Sequence, residues 1–219
     1  MTIFVLEGNI GVTKTTIGNA ILEKLKLTSI MHTDTTYHID NKVFKFIFIP
    51  EDLNSEKLTE FYTDPTKNSF EFQMYMLRKT ADNYIKAKKY SEHGYLVLLD
   101  RNFIGYTVFL KTLYKQKCLT ENQYQYLINE VKKINPVYEK IIHIQDIPFA
   151  CLKRIKHRNR PYEQYITLDY LLEIDITYNN VLSEYDNVHP LYVSQTNVDS
   201  VFKDLIVPCI NKSLEVIMV

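Results

Sequence analysis

Residues 2–16 decide the fold, and they read Thr2-Ile3-Phe4-Val5-Leu6-Glu7-Gly8-Asn9-Ile10-Gly11-Val12-Thr13-Lys14-Thr15-Thr16. Thr2 to Leu6 is a short apolar, β-rich run and reads as a buried strand. Glu7 to Thr13 reads as a loop, and Lys14 to Leu27 as a helix with Ile17, Ile21, Leu22 and Leu25 on one face. The chain has only five glycines in 219 residues, and two of them are Gly8 and Gly11. Strand, loop and helix match the phosphate-loop pattern G-x-x-x-x-G-K-[ST] at Gly8, Lys14 and Thr15. In such a loop, backbone N–H groups and the helix N-terminus cradle phosphate oxygens. Lys14 would supply a point charge, and the Thr15 hydroxyl would ligate Mg²⁺. The second glycine of the pattern is Thr13 here, a β-branched residue where backbone must approach phosphate. Either the loop has a shape that admits Thr13, or nucleotide binding is weakened. The other reading of the segment is a plain strand-turn-helix with a chance Lys-Thr.

The alternation continues outward. Asp34 to Asn41 is polar and reads as irregular, and Val43 to Ile49 is a second apolar run stopped by Pro50. Asn54 caps a short helix to about Thr63, and Asp64-Pro65 opens a long one to about Tyr90, broken by Gly94. Tyr95–Leu99 and Lys140–Ile144 read as the third and fourth strands, with helices at about Gly105–Lys117 and Thr120–Ile134 between them. Helices at Ile147–His157 and Ile166–Leu182, a short strand at Leu191–Ser194 and a helix at Val198–Leu214 follow. Apolar strands alternating with helices predict an α/β domain whose parallel sheet is covered on both faces. No repeat, linker or low-complexity stretch divides residues 1–219, so a single domain is predicted.

Composition narrows the class. Apolar residues make up 46% and charged residues 24%, enough to bury a core. Lys+Arg 26 balances Asp+Glu 26, which leaves no overall electrostatic footprint for nucleic acid or an anionic membrane. No apolar stretch is long enough to span a bilayer and no signal-peptide pattern follows Met1. Cys118, Cys151 and Cys209 are scattered and fit neither a disulfide framework nor a zinc site, so a reducing cytoplasmic compartment is expected.

Four further segments carry chemistry. The second strand ends Ile49-Pro50-Glu51-Asp52, where ligands of open α/β sheets bind, and Glu51 could act as a general base on a hydroxyl or be a surface residue. Tyr62 precedes the long helix, which carries Phe72-Gln73: a ring to stack on a nucleobase and a carboxamide to pair with its edge, or core packing beside a solvated amide. The third strand ends Asp100-Arg101-Asn102, a structural pair or a Mg²⁺ and phosphate group. Arg154-Ile155-Lys156-His157-Arg158-Asn159-Arg160 concentrates cations in a neutral chain, with Arg154 and Arg158 on one helix face; it is a solvated face or a phosphate-clamping lid.

Taken in order, these motifs resemble the deoxynucleoside kinases, the group of deoxycytidine, deoxyguanosine and mitochondrial-type thymidine kinases. The resemblance rests on Glu-Gly-Asn-Ile-Gly then Lys-Thr-Thr, Pro-Glu, Asp-Pro, Phe-x-Phe-Gln-x-Tyr, Asp-Arg, and Arg-x-x-x-Arg-x-Arg-x-x-Glu followed by Ile-x-Leu-x-Tyr-Leu, between about residues 3 and 171. It implies a P-loop kinase fold: a five-stranded parallel sheet flanked by helices on both faces, with an arginine-rich lid at about 154–165. It implies Glu51 as the base for the deoxyribose 5′-hydroxyl and Arg101 as the residue that holds Glu51 and the developing charge. Asp100 with Thr15 would stand near Mg²⁺, and residues 8–16 with Arg154, Arg158 and Arg160 would bind ATP. Gln73 would pair with the base, Phe72 would stack on it, and Tyr62 and Glu163 would bind the 3′-hydroxyl. Thr80 and Tyr106 occupy two positions that tune base choice, and they lean to thymidine or another pyrimidine. A homodimer is implied as well. The chain departs from the family at Thr13, at Asn102 where serine is common, and in a short Glu51–Tyr62 stretch without tryptophan.

The expected activity is therefore ATP-dependent phosphorylation of a deoxynucleoside to its 5′-monophosphate. One alternative is a thymidylate kinase, which shares the loop, the Asp-Arg strand end and the lid. A second is a non-catalytic nucleotide-binding protein, on account of Thr13.

Overall fold

The computed structural model describes residues 2–39 and 42–193. Six strands form one sheet: β1 (Ile3–Glu7), β2 (Thr36–Ile39), β3 (Lys42–Ile49), β4 (Tyr95–Asp100), β5 (Lys140–Gln145) and β6 (Val188–Tyr192), in the order β2-β3-β4-β1-β5-β6. The five strands from β3 to β6 across the sheet are mutually parallel, and β2 alone is antiparallel. All five residues of β1 are buried, which is why a central parallel strand reads as an unbroken apolar run. Its side chains still alternate. Ile3 and Val5 belong to a core with helices α3 (Pro65–Glu92), α4 (Phe103–Lys115), α5 (Glu121–Ile134) and α7 (Leu168–Leu182). Phe4 and Leu6 belong to the core on the other face, with α1 (Lys14–Thr28) and α6 (Pro148–Arg158).

The cap predicted at Asn54 forms, and two more hold helices that follow. The Asn54 side chain accepts from Lys57 N–H at the start of α2 (Ser55–Thr63), Asp64 caps α3 ahead of Pro65, and Thr120 with Gln123 makes a full capping box on α5.

Two expectations need correction. Within the stretch expected to be irregular, Thr36–Ile39 forms β2, which makes a sixth strand. Tyr37 is fully buried and its ring stacks on Phe44 at 5.7 Å, so one aromatic anchors a strand with no apolar periodicity. The last strand begins three residues earlier than expected and includes Pro190. Among the described strands β6 lies at the edge, where a missing N–H is tolerated. The helix predicted at 198–214 lies outside the described residues.

The sheet order places the site. Chain leaves β1 through α1 toward β3, and leaves β4 through α4 and α5 toward β5, so the connections part on opposite faces. The crevice outside the carboxyl ends of β1, β3 and β4 receives Gly8, Glu51 and Asp100-Arg101 together.

Candidate active site

Gly8 has φ 144°, and a Cβ there would meet the Ile144 carbonyl oxygen at 2.3 Å, so the loop turns where only glycine fits. The loop ends on Thr13 at φ 68°, ψ 21°, a left-handed conformation for a β-branched residue, with no side-chain cap bond to α1. Lys14 Nζ folds back to donate to Gly8 O at 3.0 Å and Asn9 O at 2.8 Å. Burial lowers its ammonium to about 8, with Arg101 adding to the fall and Asp100, Glu51 and Glu7 opposing it. Asn9 is tied to α7 through its amide on Leu171 O, at 2.8 Å.

At the end of β4, Arg101 sits at φ 60° and closes the crevice. Its Nη1 donates to both oxygens of Glu51, at 2.9 and 2.7 Å, and its Nη2 to Gly8 O at 3.0 Å. The pair is bidentate at one nitrogen and largely buried, at 10% and 19% side-chain exposure, so it holds the Glu51 carboxylate in one place. The Thr15 hydroxyl donates to Asp100 Oδ2, while Asp100 Oδ1 is buried with no partner. Burial raises the Asp100 carboxyl, against the pull of Lys14. A hydroxyl and a carboxylate with a free oxygen at a phosphate loop are hard oxygen donors of the kind Mg²⁺ takes beside phosphates. Thr15 and Asp100 therefore fit that ion.

From the loop a cavity of about 360 Å³ runs between α2, α3 and α4. Gln73, Met76, Thr80 and Asn83 line it from one stripe of α3, at the spacing of a helix face. Gln73 is 3% exposed and its Oε1 is buried without a partner, so the reading of it as a solvated amide is wrong. Phe72 lines the wall and stacks on Phe61 at 4.5 Å, interplanar angle 11°. Phe61, Leu58 and Leu53 supply the wall that lacks a tryptophan. Tyr106 is 4% exposed and donates its hydroxyl to Gln73 O at 3.3 Å; it lines the cavity from α4, as Thr80 does from α3. Tyr62 and Glu163 also line the cavity.

The basic segment divides. Arg158 Nε and Nη2 donate to Glu163 at 2.6 and 2.5 Å, Arg160 lies 3.7 Å from the same carboxylate, and all three line the cavity. Arg158 ends α6, Arg160 precedes the 3₁₀ helix Pro161–Tyr165, and Glu163 lies within that helix. Arg154 does not line it: Nε donates to Gly11 O at 2.7 Å and Nη2 pairs with Asp146, which tethers the loop to the end of β5. Glu7, Asn83, Phe61, Asp146 and Tyr170 had no predicted role, although Glu7 and Tyr170 stand within the motifs that carry the family resemblance. Asn83 was accessible from the helical spacing after Gln73; Glu7 stands in the Glu-Gly-Asn-Ile-Gly motif, but its role was hidden because its partners come from the start of α4 and from α7.

The deoxynucleoside kinase family model matches residues 4–211. The chain belongs to the deoxynucleoside kinase family. A deoxyguanosine kinase of Dictyostelium discoideum is 25% identical over 186 residues, covering 83% of this chain and 59% of that protein. A deoxyadenosine kinase of the same organism is 26% identical over 189 residues, covering 85% and 69%. The chain thus spans 59% of the first relative's length and 69% of the second's. Among solved structures, deoxyadenosine kinase from M. mycoides with the products dCMP and a flexible dCDP bound superposes with a TM-score of 0.71 at 19% identity, over 96% of this chain and 99% of that one. At that identity the likeness speaks for the fold. No described helix is long and apolar enough to cross a membrane.

Proposed function

We propose that this protein transfers the γ-phosphoryl group of ATP to the 5′-hydroxyl of a deoxynucleoside, and that it prefers a pyrimidine. The observation that carries the reading is the buried Arg101–Glu51 pair, set where the phosphate loop meets a cavity containing an unpaired carboxamide oxygen. A carboxylate held there can accept a hydroxyl proton at an Oε atom while Arg101 stays beside the oxygen that develops charge. Lys14, Arg158 and Arg160 would bind phosphate oxygens, the arginines acting as a lid over residues 154–165; Arg154 would act through the loop it tethers. Thr15 and Asp100 would hold Mg²⁺, which supplies charge neutralisation at the phosphates when bound. Phe72 would stack on the base and Gln73 pair with it, with Tyr62 and Glu163 at the sugar.

Every nucleobase offers a donor beside an acceptor to a carboxamide, so Gln73 alone cannot choose among them. Size is left to choose. Tyr106, locked to Gln73 O, takes up space in the cavity wall and favours the smaller ring. The names of the two Dictyostelium relatives point to purines; the M. mycoides enzyme, named for deoxyadenosine, was solved with a pyrimidine product. A thymidylate acceptor would bring a phosphate to the place where Glu51 stands, which disfavours that alternative.

Residues 1–219 are taken as a single domain. A second copy would cover the face of α7 that exposes Leu172 (43%) and Ile176 (52%) one turn apart. A cytoplasmic setting suits the free thiols of Cys118 and Cys151. The test is ADP release with Mg²⁺-ATP and each of the four deoxynucleosides and thymidylate. Turnover fastest with thymidine or deoxycytidine is expected. Turnover with thymidylate alone, or with nothing, would refute the proposal.

A further inference from the structure

Glu7 ends β1 beneath the loop with no solvent exposure, and the reaction proposed above makes no use of it. Asn102 N–H donates to Oε1 at 2.9 Å and the Tyr178 hydroxyl to Oε2 at 3.0 Å. Gly105 N–H is a third donor, and the Arg101 guanidinium is an adjacent positive charge. All of these are donors or cations, so the position suits a group that only accepts.

Two of those donors open α4. Asn102 is the N-cap residue of that helix, yet its side chain makes no cap bond; its Oδ1 accepts from the Tyr138 hydroxyl at 2.6 Å. The carboxylate of Glu7 caps the helix instead, where the helix dipole favours an anion. Arg101 stands immediately before, in a left-handed conformation that is unfavourable for an L-residue. Arg101 N–H is bonded to Leu6 O at 2.9 Å, and its stem crosses the first turn of α4. A Cβ on Gly105 would meet Arg101 Cγ at 2.2 Å and Glu7 Oε2 at 2.7 Å. The strained residue is thus held on one side by β1 and on the other by a helix that β1 itself caps.

We propose that Glu7 is a positioning residue: its carboxylate fixes the turn 100–102, and with it the Arg101 guanidinium that grips Glu51. The kinetic consequence rests on the kinase reading; the structural one does not. Glu7→Gln keeps the shape and sets an NH₂ donor against existing donors. A guanidinium held by both oxygens of one carboxylate rotates slowly about its Cζ–N bonds. Guanidinium-resolved NMR of the full chain is expected to show this hindered rotation for Arg101 in the wild type and to show it lost in the variant. Where the kinase reading holds, kcat should fall about tenfold or more with the deoxynucleoside KM changed less than about twofold, as for a misplaced transition-state group. Tyr178→Phe removes one donor and leaves the carboxylate; both readouts should move the same way by less, and this variant decides the matter where Glu7→Gln does not fold. Hindered rotation retained in a folded variant overturns the proposal, whatever happens to Tm. A wild type silent toward every deoxynucleoside defeats the kinase reading, and the Arg101 signal still decides on Glu7.

Discussion

Replacing Thr13 by glycine separates strain in the phosphate loop from adaptation of the loop. Thr13 lies at φ 68°, ψ 21° and lines the cavity at its loop end. A left-handed conformation costs an L-residue about 1–2 kcal/mol. Glycine removes that cost but adds roughly 0.5–1 kcal/mol through the greater freedom of its unfolded chain. Thr13 makes no cap hydrogen bond, so the substitution forfeits none. The balance is a stabilisation of about 0–1.5 kcal/mol, which a chain of this length reads as a Tm rise of up to about 6 °C. Removing the side chain also lets the loop N–H groups close on phosphate; one recovered hydrogen bond to a charged oxygen, about 1.5 kcal/mol, tightens ATP binding roughly tenfold. Thermal melts and isothermal titration with Mg²⁺-ATP measure both. A lower Tm with unchanged ATP affinity would refute the reasoning and make Thr13 a residue to which this loop is adapted.

Three further outcomes are expected. Glu51→Gln should lower kcat by about 10²-fold or more while the KM for the deoxynucleoside stays within a few-fold; steady-state kinetics with near-normal kcat would remove Glu51 from the base role. Tyr106→Ala should raise kcat/KM for purine deoxynucleosides relative to pyrimidines by about tenfold or more, by deleting a ring that lines the cavity; an unchanged ratio means that size at Tyr106 does not set the choice. The pH dependence of stability has two opposed contributions. Burial raises Glu7 from 4.5 to about 7, outweighing Arg101 and the Asn102, Gly105 and Tyr178 donors that favour its carboxylate, so its contribution is full below the lower value and is lost as pH rises through the higher one. Burial lowers His143 from 6.5 to about 4, with Lys14 assisting, so its contribution is full above the higher value and is lost as pH falls through the lower one. Each is worth on the order of 3 kcal/mol, and between them they cancel across the shared window. In melts across that window, Glu7→Gln should gain stability with rising pH and His143→Phe should lose it; parallel profiles in the two variants would contradict the assignment.

What the sequence disclosed depended on how local the cause was. Four of the parallel strands, β1, β3, β4 and β5, were legible because each is an apolar run bounded by its own stop signals; β6, with His189 and Pro190, was placed three residues late. The caps at Asn54 and Thr120 were legible because donor and acceptor lie three residues apart. β2 was hidden because its described anchor is a single aromatic, Tyr37, buried by rings on the neighbouring strand. Arg154 was placed with Arg158 because four residues on a helix share a face, and they do. One turn of rise, however, is enough to give Arg154 the Gly11 carbonyl and Asp146 while Arg158 reaches Glu163. Glu7 was read as loop because nothing beside it in sequence explains a buried charge; its donors lie on α4 and α7.

The unpaired atoms speak most directly about what the cavity receives. Among the described residues, Gln73 Oε1, Asp100 Oδ1, Arg101 Nε and Thr112 Oγ1 are the buried side-chain atoms without a hydrogen-bond partner. A buried polar atom left unpaired costs about 1–3 kcal/mol. Three of the four belong to residues that line or flank the one cavity into which the loop opens. They differ in kind: an amide acceptor at the far end, a carboxylate oxygen beside the Thr15 hydroxyl, and a guanidinium donor next to Glu51. A molecule that satisfied all three would carry a hydrogen-bond donor on a flat ring, sit beside a cation at a phosphate, and bring an anionic or hydroxyl oxygen between them. A deoxynucleoside and the γ-phosphoryl group of ATP that its 5′-hydroxyl would accept have those features between them. A phosphate-loop protein that bound only nucleotide would leave the amide end unpaired, and the cost of Gln73 would have no return.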